Sequence, residues 1–180
     1  MLLSRDDCLK RYGSDYRISQ QIQKEQLYRL EKYVFSDKPW VPEQAVIAFR
    51  YPKAVLTMKS AFYFHGLTDM IPDVYDLATD RDAAKIRDSR VRQYFLPHDY
   101  VEEGVEKRDI QGYSIRIYNR EKMLIELLRN KCSIPFDLYK EILLNYRRLL
   151  PELDIRKVEE YAASSPKSNM IMNALQTEVF

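Results

Sequence analysis

The sequence predicts an α+β fold: an N-terminal winged helix-turn-helix followed by a mixed α/β domain with a helical C-terminus. Three observations carry this. A glycine-punctuated pair of short helices opens the chain and leads into an aromatic, β-branched segment. Alternating apolar segments recur between residues 74 and 118. From Arg120 onward apolar residues repeat every three or four positions, the period of a helix packed on one face.

In the first element, Ser4 is a good N-cap and Asp6 and Asp7 stand in the first turn, where the helix dipole favours negative charge. The helix runs over residues 5–12 and stops at Gly13, the residue type that ends helices in the left-handed conformation. Ser14 and Asp15 then cap a second helix over residues 16–25. Its Ile18 and Ile22 are four apart and can bury one face with Leu9 as a partner. A short helix, a glycine turn and a second helix with a polar outer face form a helix-turn-helix pattern. Residues 27–35 are rich in aromatic and branched side chains, and Ser36-Asp37-Lys38-Pro39 closes them, which reads as a β-ribbon or wing. The alternative is one amphipathic helix over residues 16–33, since Gln, Lys, Glu and Leu all favour helix.

Pro39 and Pro42 mark a boundary, giving domains at 1–38 and 39–180. Residues 43–49 read as helix, and residues 53–64 as another that closes at Gly66. Residues 74–79 read as a strand, 83–87 as a short helix and 91–96 as a strand. Residues 99–118 suggest further strands, with Gly104 and Gly112 at turns. The strands thus lie at about 74–118 and the helices at about 120–176. The helices carry stripes over Met123, Leu124, Leu127 and Leu128, and over Phe136, Tyr139, Ile142, Leu143, Tyr146 and Leu149.

Charge excludes little. Lys and Arg number 29 against 27 Asp and Glu, and the whole excess lies in residues 1–38, with eight basic against six acidic residues. Cys8 and Cys132 stand far apart without a CxxC context, as reduced structural thiols would; a single disulfide between them is the alternative. No apolar run approaches the roughly 20 residues of a membrane span. Asp6 and Asp7 occupy the place of a signal peptide's apolar stretch. A soluble, cytoplasmic protein without a membrane partner is expected.

Catalytic chemistry is sparse. His65 and His98 lack metal-ligand spacing to Cys or to each other, so no metal site is expected. The sequence has no GxxxxGK[ST], GxGxxG or GxSxG motif, and four scattered glycines do not build a phosphate loop. No cofactor and no catalytic residue are expected. Asp80-Arg81-Asp82 is the acidic pair nearest to a hard-cation site, but its intervening arginine and loop setting favour a solvated turn.

Recognition chemistry is better represented. A helix entering the major groove needs amides, hydroxyls and guanidinium groups, since Gln pairs bidentately with adenine and Arg with guanine. Arg17, Ser19, Gln20, Gln21, Gln23 and Lys24 supply that set, and Arg29 and Lys32 on the wing can neutralise flanking phosphates. A solvated helix face accounts for these six polar residues equally well when they are taken alone. The helix before them and the wing after them favour double-stranded DNA as partner. A second basic cluster, Lys140, Arg147, Arg148, Arg156 and Lys157, is interleaved with acids and reads as a solvated face.

Two segments carry a family resemblance. Leu56-Thr57-Met58-Lys59-Ser60-Ala61-Phe62-Tyr63-Phe64-His65-Gly66-Leu67-Thr68-Asp69-Met70-Ile71-Pro72 resembles a pattern of the AbiEi antitoxins, in which a helix carrying Ser-Ala precedes His-Gly-Leu and then a proline. Ile115-Arg116-Ile117-Tyr118-Asn119-Arg120-Glu121-Lys122-Met123-Leu124-Ile125-Glu126-Leu127-Leu128-Arg129 resembles that family's strand and Arg-Glu-Lys helix start. The resemblance implies a winged helix-turn-helix followed by an antitoxin domain. It implies a transcriptional autorepressor that binds repeats in its own promoter, within an abortive-infection operon against phage. It also implies that the protein counteracts a nucleotidyltransferase-like toxin without a stable complex. The family's winged helix usually has a further helix before the helix-turn-helix, and only Met1-Leu2-Leu3 precede Ser4 here, so either that helix is missing or the start is truncated. Ser60, Ala61, His65, Gly66, Arg120, Glu121 and Lys122 are the antitoxin-motif residues. Read individually they suit structural work: small residues for close helix packing, a C-cap, and a helix start. The alternatives to a DNA-binding antitoxin are a protein-interaction module and a metal-dependent nuclease using Asp80 and Asp82.

Overall fold

The computed structural model describes all 180 residues and is α+β. Residues 1–52 together with 108–115 form one compact unit, and residues 53–107 with 116–180 form another.

The first unit begins with strand β1 (Leu2–Ser4), helix α1 (Arg5–Tyr12) and helix α2 (Asp15–Gln23), then strands β2 (Tyr28–Glu31) and β3 (Val34–Ser36), then helix α3 (Glu43–Arg50). The three strands form an antiparallel sheet in the order β1-β3-β2. Successive residues of a strand point to opposite faces, and both faces of this sheet are covered. On one side Leu3 and Phe35 pack with Cys8, Ile18 and Leu27, joined by Leu9, Tyr12 and Ile22. On the other side Val34 packs with Val41, Ala45 and Val46, joined by Leu2, Leu30, Phe49 and Tyr113. All three residues of β3 are buried as a result. The unit extends to Pro52 rather than ending at residue 38, because Val41, α3 and Tyr113 close the second face of the sheet. The ribbon over residues 28–36 excludes a continuous helix over 16–33, and β1 was not foreseen from three residues.

The second unit holds β4 (Val55–Leu56), α4 (Met58–Phe64), β5 (Tyr75–Asp80), β6 (Val91–Leu96) and α5 (His98–Val101). After the hairpin strands β7 (Val105–Ile110) and β8 (Tyr113–Tyr118), whose residues 108–115 group with the first unit, come α6 (Arg120–Arg129), α7 (Phe136–Leu149), α8 (Ile155–Ser164) and α9 (Ser168–Ala174). The sheet order is β6-β5-β4-β8-β7. β4 runs antiparallel to β5 and parallel to β8, and β5 and β6 are parallel. Helix α6 is the centre of the helical layer. Residues 122–128 are all buried, and α4, α8 and α9 pack around them.

Three local expectations are corrected. The helix expected over 53–64 starts only at Met58, because Val55 and Leu56 are buried as a strand between β5 and β8. Residues 83–87 are not helical. The Gln93 side chain donates to the Ala84 carbonyl at 3.1 Å and accepts from the Ile86 amide at 2.7 Å, taking up backbone groups that a helix would need. Residues 98–101 form a turn of helix rather than strand.

Candidate nucleic-acid interface

Helix α1 is started by a reciprocal capping box. The Ser4 hydroxyl accepts the Asp7 amide at 3.1 Å, and the Asp7 carboxylate accepts the Ser4 amide at 2.9 Å. The Ser4 hydroxyl also donates to the Asp7 carboxylate at 2.6 Å, and this bond, with that of the Ser4 amide, holds the Asp7 carboxyl below its usual range. Gly13, at φ +85°, ends the helix and donates its amide to the Leu9 carbonyl at 2.8 Å. Ser14 caps α2 by accepting the Arg17 amide at 3.3 Å. The guanidinium of Arg5, at the start of α1, grips Asp15, at the start of α2, through two bonds of 3.2 and 2.7 Å. Hydrogen bonding to Arg5 keeps the Asp15 carboxyl below its usual range.

Ile18 fixes the inward face of α2, so the outward residues follow from the helical period. Arg17, Ser19, Gln23 and Lys24 are exposed, and Gln20 and Gln21 are half-buried. The Ser19 hydroxyl donates to the Asp15 carbonyl at 3.0 Å, which leaves its oxygen as an acceptor. On the ribbon, Arg29 points to solvent and Lys32 stands in the two-residue turn between Glu31 and Val34. Its ammonium lies 5.1 Å from the centre of the Tyr33 ring. Two exposed aromatic side chains on this side, Tyr16 and Tyr33, and the clamp residue Arg5 were missed by sequence reasoning. The available signals were the position of Tyr16 just after the Ser14-Asp15 cap and that of Tyr33 at a turn position favouring glycine.

The motif residues of the second unit are drawn inward. Ser60 donates to the Val74 carbonyl at 3.2 Å and accepts the Asp76 amide at 2.9 Å. Ala61 is fully buried and His65 nearly so. The His65 Nε2 lies 2.7 Å from the Tyr118 carbonyl, so that nitrogen carries the proton. Gly66, at φ +67°, closes α4. Arg120 pairs with Glu152 at 3.2 Å, and the Glu121 carboxylate accepts the Asp154 amide at 3.1 Å. Lys122 is wholly buried, ion-paired to Glu103, with its ammonium 3.2 Å from the centre of the Tyr100 ring. Burial lowers the Lys122 pKa against the opposing pull of Glu103. Through the His65–Tyr118 bond the two halves of the motif meet inside the unit.

The acidic pair at Asp80 and Asp82 lines a cleft of about 850 Å³ with Lys53, His98, Glu102 and Arg116. One Asp80 oxygen accepts the Asp82 amide at 2.8 Å, and the other lies 2.5 Å from His98 Nδ1. This is a side-chain-closed turn, and no three His, Cys, Asp or Glu side chains converge to hold a metal ion. No helix is long and apolar enough to cross a membrane.

No protein-family model matches the chain, and no curated protein matches it. Among solved structures, the chain is similar to the crystal structure of the RV2827C protein from Mycobacterium tuberculosis. The two share 15% identity with a TM-score of 0.63, over 98% of this chain and 71% of the other. At that identity the likeness is one of fold.

Proposed function

We propose that this chain is a DNA-binding transcriptional regulator of the AbiEi type, an antitoxin that represses its own operon and counteracts a nucleotidyltransferase-like toxin. In this reading α1 and α2 are the helix-turn-helix and β2 and β3 the wing of a winged-helix domain. α3 then covers one face of the small sheet. One observation carries it: α2 is capped, clamped to α1 and buried on one side, while its other side offers Arg17, Ser19, Gln23 and Lys24 to solvent. Arg17 and the glutamines read base edges, while Lys24, Arg29 and Lys32 neutralise phosphates. No cofactor enters this function.

The test is binding of the full chain to its own upstream DNA at two salt concentrations with excess competitor. Specific binding that weakens steeply with salt is expected. The double variant R17A/Q21A should lose tenfold or more in affinity, since a good bidentate base contact is worth about 1–3 kcal/mol. Unchanged binding by that variant would show α2 not to be the reading helix. The antitoxin half rests on the resemblance of residues 56–72 and 115–129. Its test is co-expression with a nucleotidyltransferase-like toxin, should one be encoded next to it. Growth should be rescued by the wild type and equally by R17A/Q21A, because neutralisation is assigned to the second unit. Failure of both proteins to rescue would remove the antitoxin assignment and leave the regulator standing.

A further inference from the structure

We propose that the cleft at the carboxyl ends of β5 and β6 binds a small, hydroxyl-bearing phosphomonoester of the size of a nucleoside monophosphate; this stands apart from the DNA-binding reading above. The first ground is the place of the cleft in the sheet. β5 and β6 run parallel and end together, with Asp80 paired to Leu96, so Asp80 and His98 open on the same end. The crevice outside the carboxyl ends of parallel strands is where an open α/β sheet ordinarily takes its ligand. The antiparallel β4–β5 register, continued two residues back from Val55, brings Lys53 across from Asp80. Arg116 comes from β8, on the other side of β4. The cavity of about 850 Å³ has room for one small ligand.

The second ground is which charged groups in the cleft are already engaged. Arg116 pairs with Glu102 and donates to the Lys53 carbonyl at 2.8 Å, which fixes the backbone carrying Lys53. Asp80 accepts the Asp82 amide through one oxygen and the His98 Nδ1 proton through the other, at 2.8 and 2.5 Å. That second bond leaves Nε2 as the nitrogen open to a ligand. Asp80, with Asp99 and Glu102, favours the charged imidazolium, in which Nε2 is a donor. The Lys53 ammonium and the Asp82 carboxylate are exposed and bonded to no other side chain. The unengaged groups are therefore two cationic donors and one carboxylate. Two cationic donors match the oxygens of a phosphomonoester, and a carboxylate matches a hydroxyl or amino donor on the same molecule. Ala83 and Ala84 supply an apolar stretch of wall beside Asp82. Duplex DNA fits this cleft poorly, because its phosphates would also meet Asp80, Asp82 and Glu102.

The experiment is calorimetric titration of the full chain with AMP, ribose 5-phosphate, adenosine and inorganic phosphate, at about pH 6.5 so that the imidazole is charged. The wild type, K53Q/H98Q and Asp82→Asn are compared, with thermal melting of each. The wild type should bind AMP and ribose 5-phosphate at millimolar concentration or below, and adenosine not at all. Inorganic phosphate should bind about fivefold more weakly than ribose 5-phosphate, since it offers Asp82 no sugar hydroxyl. K53Q/H98Q should lose about tenfold or more for both phosphomonoesters, each lost contact being a hydrogen bond from a charged group. Asp82→Asn should weaken ribose 5-phosphate without weakening inorganic phosphate. Binding of both phosphomonoesters by a folded K53Q/H98Q at wild-type strength would overturn the site. So would a wild type that binds neither of them at millimolar concentration, or that binds adenosine as tightly as AMP. Inorganic phosphate binding as tightly as ribose 5-phosphate would overturn the assigned ligand class. Loss of duplex DNA binding by a folded K53Q/H98Q would make the cleft a nucleic-acid surface and overturn the small-molecule assignment, whereas R17A/Q21A tests the regulator reading separately.

Discussion

Gly104 controls how closely the turn before β7 approaches helix α6. At φ +74° it occupies the left-handed region, and a Cβ placed there would meet the Lys122 Cβ at 2.5 Å and the Asn119 Oδ1 at 3.2 Å. Asn119 is the cap of α6, accepting the Lys122 amide at 2.8 Å and donating its own amide to the Gly104 carbonyl at 2.8 Å. Gly104→Ala therefore combines backbone strain with overpacking at a helix start and should destabilise by about 2–4 kcal/mol, measured by denaturant unfolding. Lys122→Ala strips the buried charge from Glu103 and Tyr100 and should cost about 3–5 kcal/mol, whereas Lys122→Met, of similar volume, should fold with near wild-type stability. Loss of toxin rescue in a stably folded Lys122→Met protein would show that the motif lysine acts at a surface. Such effects were only half legible in the sequence. Gly66 and Gly104 announced turns, but an Arg-Glu-Lys helix start does not reveal that its lysine is wholly buried, because the covering residues Tyr100 and Glu103 come from a separate segment. His98 offers a pH readout at the same scale. Its hydrogen bond to Asp80 raises the imidazole above its ordinary pKa, and the Asp82 amide, with His98, holds the Asp80 carboxyl below its own. The contribution of the pair is lost as pH falls through the lowered Asp80 value and again as pH rises through the raised His98 value. Proton NMR should give His98 a pKa above the usual value of about 6.5, and Asp80→Asn should bring it back. A titration unchanged by Asp80→Asn would disprove the pairing.

At the level of elements, legibility followed how local the causes were. α1 and α2 were readable because their stops and starts are written in adjacent residues: Ser4 with Asp7, Gly13, and Ser14. Helices α6 to α8 were readable because a stripe repeating every three or four residues survives any packing arrangement. Strand β4 was not readable, since two residues become a strand only when β5 and β8 flank them. Segment 83–87 was misread because the competitor for its backbone groups, Gln93, lies downstream on β6. The local cap also yields an elemental prediction. Ser4→Ala removes half of the capping box of α1 and should reduce stability by about 1 kcal/mol. The same substitution loosens the start of the helix whose Arg5 clamps α2, so the proposed DNA binding should weaken as well. A Ser4→Ala protein with unchanged melting temperature would mean that packing of Leu9 and Cys8, rather than the cap, holds α1.

For the whole molecule, the arrangement of the first unit sets what can be cut from the chain. Residues 1–38 contain both helices of the proposed DNA-binding domain and its wing, but they carry only one of the sheet's two cores intact. The second core needs Val41, Ala45, Val46 and Phe49 from just beyond that boundary, and Tyr113 from far along the chain. A fragment of 38 residues would leave Leu2, Leu30 and Val34 in water and falls below the size at which a single core ordinarily suffices. It should give a disordered circular dichroism spectrum and bind no DNA. A fragment of residues 1–52 regains α3 but lacks Tyr113 and its neighbours on residues 108–115. Partial helicity with a broad thermal transition is expected, together with weaker DNA binding than the full chain. Sharp, cooperative melting of residues 1–52 at the full-chain temperature would show that residues 108–115 add nothing to the unit. The prolines at 39 and 42 mark where the β2–β3 ribbon ends; they do not mark where its support ends, because that support arrives from sequence positions no local signal connects.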